Sequence, residues 1–152
     1  MDAGCYPVSL VRFLAGLEPT VIKAKAKLFK PQVDSKIEAE LTFPNGIRAY
    51  IICNMLSPTL FESSLKIQGD SGEVKVFNPY HPHWFNFFSI RNARNTQRGM
   101  IKGENAYTSQ LRAFANAINK DMPLTTNPED AVNNMRVIDA IYEKAGLQIR
   151  GV

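Results

Sequence analysis

Cysteine and histidine are scarce in this chain, two of each in 152 residues. Cys5 and Cys53 cannot build a disulfide framework. A domain of this length buries roughly 68 to 70% of its unfolded surface and does not need one. Both cysteines therefore read as free thiols, and with no signal-peptide pattern at the start the expected location is cytoplasmic. His81 and His83 have no carboxylate or cysteine at ligand spacing nearby, so no metal site is expected. Long hydrophobic runs are missing too. Arg, Lys, Asn or Gln interrupts every apolar stretch before the about 18 residues of a membrane span, which excludes a membrane partner. The nine glycines form no G-x-G-x-x-G after a strand, so the chain carries no dinucleotide fingerprint and no cofactor is expected on it. Strong charge of one sign is also lacking. Eighteen Lys plus Arg against fourteen Asp plus Glu leave +4, spread along the chain, and nucleic-acid binding is not expected.

What remains is 45% hydrophobic and 21% charged, the balance of one globular domain. Val8, Leu10, Val11 and Leu14 predict a short helix from Tyr6 to Ala15, stopped at Gly16. Little chain precedes it, and the sequence reads as truncated at its start. From Val21 the period changes to two. Lys23, Lys25 and Lys27 occupy one face and Ile22, Ala24, Ala26 and Leu28 the other. After Lys30-Pro31-Gln32, Lys36, Glu38 and Glu40 alternate with Ile37, Ala39, Leu41 and Phe43. A tight turn sets Lys25 opposite Glu38 and Lys23 opposite Glu40, an expected ladder of cross-strand ion pairs. Pro44-Asn45-Gly46 is a turn, and Ile47 to Leu56 is apolar on both faces, as a central or doubly covered strand would be.

Further strands are expected at Phe61 to Gln68, Glu73 to Phe77 and Trp84 to Arg91, with Gly69-Asp70-Ser71-Gly72 joining the first two. A helix follows whose apolar face is Tyr107, Leu111, Phe114, Ala115 and Ile118, ended by Asp121-Met122-Pro123. The last helix has Asn127 as cap, Pro128 at its first position, Glu129 and Asp130 at the positive end of the dipole, and Val132, Met135, Ile138 and Ile141 as its stripe. The fold class is α+β, a single domain with one mostly antiparallel, open sheet and helices on one face. Too little helix is present to coat both faces. Either parity of the Ile47–Leu56 run leaves large apolar groups outward, so the chain is expected to form a homo-oligomer through its sheet.

Three places carry candidate chemistry. Asp2 and Tyr6 lie four residues apart at the entry to the first helix. A phenol can exchange a substrate proton, but its ordinary pKa near 10 requires a cation beside it; the structural alternative has Asp2 capping the helix and Tyr6 in the core. In Asn78-Pro79-Tyr80-His81-Pro82-His83-Trp84, His81 and Trp84 are candidate substrate contacts, or else members of an ordinary rigid loop. Asn54 is a polar residue in an apolar strand, a third substrate contact or a strand-end amide. Cys5 has no histidine within its segment and is not a credible nucleophile.

Met1-Asp2-Ala3-Gly4-Cys5-Tyr6-Pro7, with Leu10, Arg12, Leu14, Gly16 and Glu18-Pro19, resembles the start of the C-terminal domain in the Gfo/Idh/MocA oxidoreductases. Tyr107-Thr108-Ser109-Gln110-Leu111 with Phe114 and Ala117-Ile118 is similar to the first of the family's two closing helices. Thr126, Glu129-Asp130-Ala131, Met135, Ile138-Asp139-Ala140-Ile141-Tyr142 and Ala145-Gly146 match the second. The resemblance implies an NAD(P)-dependent sugar or polyol dehydrogenase, of which this chain is the substrate-binding and oligomerisation domain without its N-terminal Rossmann domain. It places Asp2 and Tyr6 at the family's catalytic Asp and His-or-Tyr positions. The tyrosine form is that of the dihydrodiol and xylose dehydrogenase branch. The family's lysine, from a Glu-Lys-Pro motif of the first domain, has no counterpart here, since Phe29 precedes Lys30-Pro31. The isolated chain is therefore expected to be inactive. Family members commonly pack these sheets face to face between subunits. The alternative is a stand-alone binding or dimerisation module with no catalytic role.

Overall fold

The computed structural model describes residues 4–56 and 63–149. In chain order they form α1 (Cys5–Ala15), β1 (Thr20–Lys30), β2 (Val33–Thr42), β3 (Arg48–Asn54), β4 (Ser64–Gly69), β5 (Gly72–Phe77), β6 (Phe87–Asn92), β7 (Thr96–Gly99), α2 (Ala106–Lys120) and α3 (Pro128–Lys144). The class is α+β as expected, and every strand pair is antiparallel. The strands divide into a three-stranded sheet, β1-β2-β3, and a four-stranded sheet, β4-β5-β6-β7. Two compact units result, Met1–Pro58 with Thr125–Val152, and Thr59–Leu124.

In the first unit α1 and α3 cover one face of the three-stranded sheet. Alternation in β2 turns Ile37, Ala39 and Leu41 inward. They meet Val8 of α1, Val21 and Ile51 of the flanking strands, and Val137, Ile138, Ile141 and Tyr142 of α3. Each large aliphatic group so buried contributes about 1.5–3 kcal/mol. The Tyr142 hydroxyl donates to Asp34 Oδ1 at 2.7 Å within this core, which joins α3 to β2 without leaving a buried polar atom unpaired. Gly16 closes α1 in the left-handed region, and the α3 cap is as read, with Asn127 Oδ1 accepting from the Asp130 N–H at 2.9 Å. In the β2–β3 turn, Gly46 takes φ 82°, which its lack of a Cβ permits, and donates to the Phe43 carbonyl.

The β1–β2 register pairs Lys25 with Glu38 and Lys23 with Glu40, as the charge alternation predicts. The ion-pair ladder does not form. Lys36 stands directly across from Lys27, and Glu38 answers that repulsion by pairing with Lys36 on its own strand. Among the described residues no ion pair joins Lys25 to Glu38 or Lys23 to Glu40. Two positions given to the inner face of β1 are corrected. Register shifts between Val21 and Lys23 and around Leu28 break the alternation, leaving Ile22 and Leu28 exposed. β3, expected to be central or doubly covered, stands at the edge of its sheet among the described strands: Ile51 faces the core while Tyr50 and Ile52 stand outward and exposed.

The second unit holds the four-stranded sheet and α2. Phe61 and Glu62, called part of a strand, lie outside the described residues. The β4–β5 hairpin turns at Asp70-Ser71, and Gly72 is required there because a Cβ would sit 2.3 Å from the Arg91 carbonyl oxygen. The strand expected from Trp84 begins only at Phe87. Its first residues are spent on a loop: the Trp84 N–H donates to the His81 carbonyl at 3.2 Å, and buried Asn86 ties the loop to the segment after β7. β7 was not foreseen. Its sequence, Thr-Gln-Arg-Gly, is a short polar edge strand with no alternation to read. α2 forms with the expected face, but Tyr107, Leu111, Phe114 and Ile118 are all exposed and nothing in the helix is buried. In α3, Ile138 and Ile141 are buried as expected while Val132 and Met135 are exposed.

Candidate active site

Tyr6 is the second residue of α1, and its ring is 58% exposed rather than packed in the core. Gly4 is the helix cap residue and makes no side-chain cap. Asp2 lies outside the described residues. The helix that carries Tyr6 is fixed against α3 at both ends. Near its start, Asn134 Nδ2 donates to the Cys5 carbonyl at 3.2 Å. Near its end, Arg12 is buried, four residues after Val8 on the same stripe, and all three of its guanidinium nitrogens donate. Nε and Nη2 donate to Glu18 at 2.8 and 2.6 Å, and Nη1 donates to Asp130 Oδ1 at 2.8 Å. The Arg12 hydrogen bonds hold the Glu18 carboxyl below the usual carboxylate range. By sequence Arg12 and Glu18 are only marks of resemblance, and Asp130 is that and a first-turn acid of the last helix. A lone arginine on the apolar stripe of α1 is the signal that could have given them a role.

His81 and Trp84 are brought together. Their rings stack with centroids 5.9 Å apart, and His83 closes the cluster at 5.7 Å from Trp84 and 6.2 Å from His81. Two asparagines hold this loop. Asn78, in the left-handed region, donates from Nδ2 to the Phe85 carbonyl at 2.6 Å. Asn86 donates to the Pro82 carbonyl at 2.7 Å and accepts from the Ile101 N–H at 2.7 Å. The loop is thereby rigid, with the Trp84 indole presented to solvent at 80% exposure. Asn54 takes no part in that cluster. It ends β3, and its Oδ1 accepts from the Leu56 N–H at 3.2 Å, the strand-end role.

Cys5 and Cys53 are free thiols. Burial pushes the Cys53 thiol up to about 11, so it is protonated at neutral pH and no nucleophile. Among the described residues no group of three His, Cys, Asp or Glu side chains could hold a metal ion, and no helix is long and apolar enough to cross a membrane. The described strands contain no parallel pair, hence no β-α-β crossover of the kind that carries a dinucleotide fingerprint.

The sequence matches the oxidoreductase family C-terminal alpha/beta domain over residues 1–147. It is similar to D-xylose 1-dehydrogenase (NADP(+)) 2 of Haloferax volcanii, 28% identical over 95% of this chain and 45% of the relative. It is also similar to D-xylose 1-dehydrogenase [NADP(+)] of Haloarcula marismortui, 20% identical over 94% of this chain and 40% of the relative. The chain thus spans a little under half the length of these relatives. In fold it is similar to KijD10, a 3-ketoreductase of Actinomadura kijaniata solved with NADP and TDP-benzene, at TM-score 0.80 and 17% identity over 95% of this chain and 45% of that one. With a match that runs from the helix bearing Tyr6 through α3, the chain belongs to the Gfo/Idh/MocA oxidoreductase family, as its C-terminal domain.

Proposed function

We propose that this chain is the substrate-binding and oligomerisation half of an NADP-dependent sugar or polyol dehydrogenase whose cofactor is held by a separate Rossmann domain. The observation that carries this is Tyr6: an exposed phenol in the first turn of a helix clamped to α3 by Arg12 and Asn134. A core-packing tyrosine would be buried, whereas a proton-exchanging one must reach a substrate and be held in place while it does so. Tyr6 exchanges the proton of the substrate hydroxyl, and a lysine from the cofactor domain supplies the neighbouring cation that such a phenol needs. The relatives in Haloferax and Haloarcula, both D-xylose dehydrogenases that use NADP, favour a sugar and NADP. Self-association occurs through the sheet, where Tyr50 and Ile52 stand outward at 55% and 52% exposure. Asp2, His81, Trp84 and Asn54 remain candidate contacts for catalysis and substrate.

The experiment is a comparison of two preparations, the isolated chain and the chain joined behind a Rossmann domain of the family. The isolated chain is expected neither to bind NADP at micromolar concentration nor to reduce it with D-xylose. The joined protein is expected to reduce NADP in the presence of a sugar or polyol. Micromolar NADP binding by the isolated chain would contradict the division of labour.

A further inference from the structure

Tyr6 sits in a turn that its own helix does little to hold. Gly4 caps α1 without a side-chain hydrogen bond, and no acidic residue stands in the first turn. The opening N–H groups of an α-helix have no acceptor within the helix, so a first turn without these aids frays more readily than the turns behind it. The far end of α1 is better secured. There the Gly16 N–H donates to the Arg12 carbonyl, and the Arg12 side chain is tied to Asp130.

α3 supplies the hold that the cap does not. The stripe it turns towards α1 and the sheet runs Asp130, Asn134, Ile138 and Ile141, polar at its first two positions and apolar at its last two. Asn134 is half-buried and uses both ends of its amide across the joint. Nδ2 donates to the Cys5 carbonyl at 3.2 Å, and Oδ1 accepts from Arg12 Nη1 at 3.4 Å. A guanidinium offers donors only, so Arg12 decides which way the amide points: its oxygen towards the arginine and its nitrogen towards Cys5.

The Cys5 carbonyl belongs to the peptide whose nitrogen is that of Tyr6. A hydrogen bond to this oxygen therefore holds the plane from which the phenol hangs. The α-helix directs the Ser9 N–H at the same carbonyl, whose second lone pair serves Asn134.

We propose that Asn134 is a positioning residue for Tyr6, ordering the first turn of α1 through the Cys5 carbonyl and so aiming the phenol at the substrate hydroxyl. The inference rests on the reading of Tyr6 as the proton-exchanging group, and adds that α3 aims it. Aim matters because proton exchange works only within hydrogen-bond reach, and a misplacement of about 1 Å can cost about 10²-fold in rate.

Two variants separate aiming from packing. Asn134→Ala removes donor and acceptor together. Asn134→Asp keeps the size and an acceptor for Arg12 but sets an anion against the Cys5 carbonyl oxygen, so it would replace a residue that only filled space or held the arginine. In the chain joined to a cofactor domain, both are expected to lower kcat about tenfold with KM within about twofold of wild type, the pattern of an interaction realised only in the transition state. Ile138→Val shortens a buried side chain one turn further along α3 and is expected to lower the urea midpoint while kcat holds. Hydrogen exchange in the isolated chain reads the same joint without turnover. The Ser9 amide is expected to exchange about fivefold faster in both Asn134 variants, the worth of one hydrogen bond. Wild-type kcat in Asn134→Asp, a loss of kcat in Ile138→Val as large as in Asn134→Ala, or unchanged exchange at Ser9 would each overturn the proposal. Unchanged turnover in Tyr6→Phe would bring down the reading of the phenol, and this inference with it, while leaving the exchange rates as expected. Unchanged exchange at Ser9 would remove Asn134 alone and leave the loss in Tyr6→Phe standing.

Discussion

Truncating Arg12 to Ala removes charge-assisted hydrogen bonds to two carboxylates and releases α1 from the start of α3. Breaking a fully buried pair costs about 3–5 kcal/mol. Glu18 and Asp130 are 53% and 30% exposed, however, and rehydrate when the arginine goes. A loss of about 2 kcal/mol is therefore expected, read as a lower urea midpoint with an unchanged slope. Arg12→Lys should recover little of it, because an ammonium cannot replace a planar fork shared between two carboxylates. At this scale the sequence was legible where a residue's neighbours in the chain define its job. Asn127 as a cap and Gly16 as a helix stop are such cases. It was opaque where partners are distant: Arg12 meets Asp130 across more than a hundred residues, and Tyr142 meets Asp34 likewise.

Among the elements, β5 shows what charge does within a sheet. Hydrogen bonds from Lys66 and Lys75 hold the Glu73 carboxyl down at about 2. In an unfolded chain it titrates near about 4.3. A depressed carboxyl stabilises the fold above its unfolded value and loses that contribution as pH falls through the folded one. The wild-type chain should therefore lose stability between about pH 4.5 and pH 2. Glu73→Gln should be less stable at neutral pH, flatter through that window and similar to wild type near pH 2, as followed by circular dichroism in urea. Identical slopes for the two proteins would remove Glu73 from any such role. The elements themselves were largely legible, because periods of two and 3.6 survive in the residues. The charge alternation even gave the β1–β2 register. It did not show the bulge that turns Ile22 outward, since a bulge is one residue of irregular backbone without a side-chain signature. Nor did it show that β3 is an edge among the described strands, which depends on which strands find each other across the chain.

On the scale of the molecule, two expectations concern what the chain needs from outside itself. The exposed Tyr50 and Ile52, together with the apolar face of the four-stranded sheet, should be covered by a second copy. Light scattering at micromolar concentration is expected to give a dimer or larger, and Ile52→Lys to shift it towards monomer if β3 forms the contact. The catalytic dependence is the sharper one. The role of Tyr6 was readable only through the resemblance to a family; spacing alone favoured a core-packing phenol, and its exposure became visible only when α1 was placed on α3. The most direct measurement is turnover of Tyr6→Phe in the chain joined to a cofactor domain, with the oxidation of a sugar or polyol followed by NADP reduction. A fall of about 10²- to 10⁴-fold in kcat with an unchanged urea midpoint is expected for a proton-exchanging phenol. Unchanged turnover in that variant would contradict it and reduce Tyr6 to a surface residue of α1.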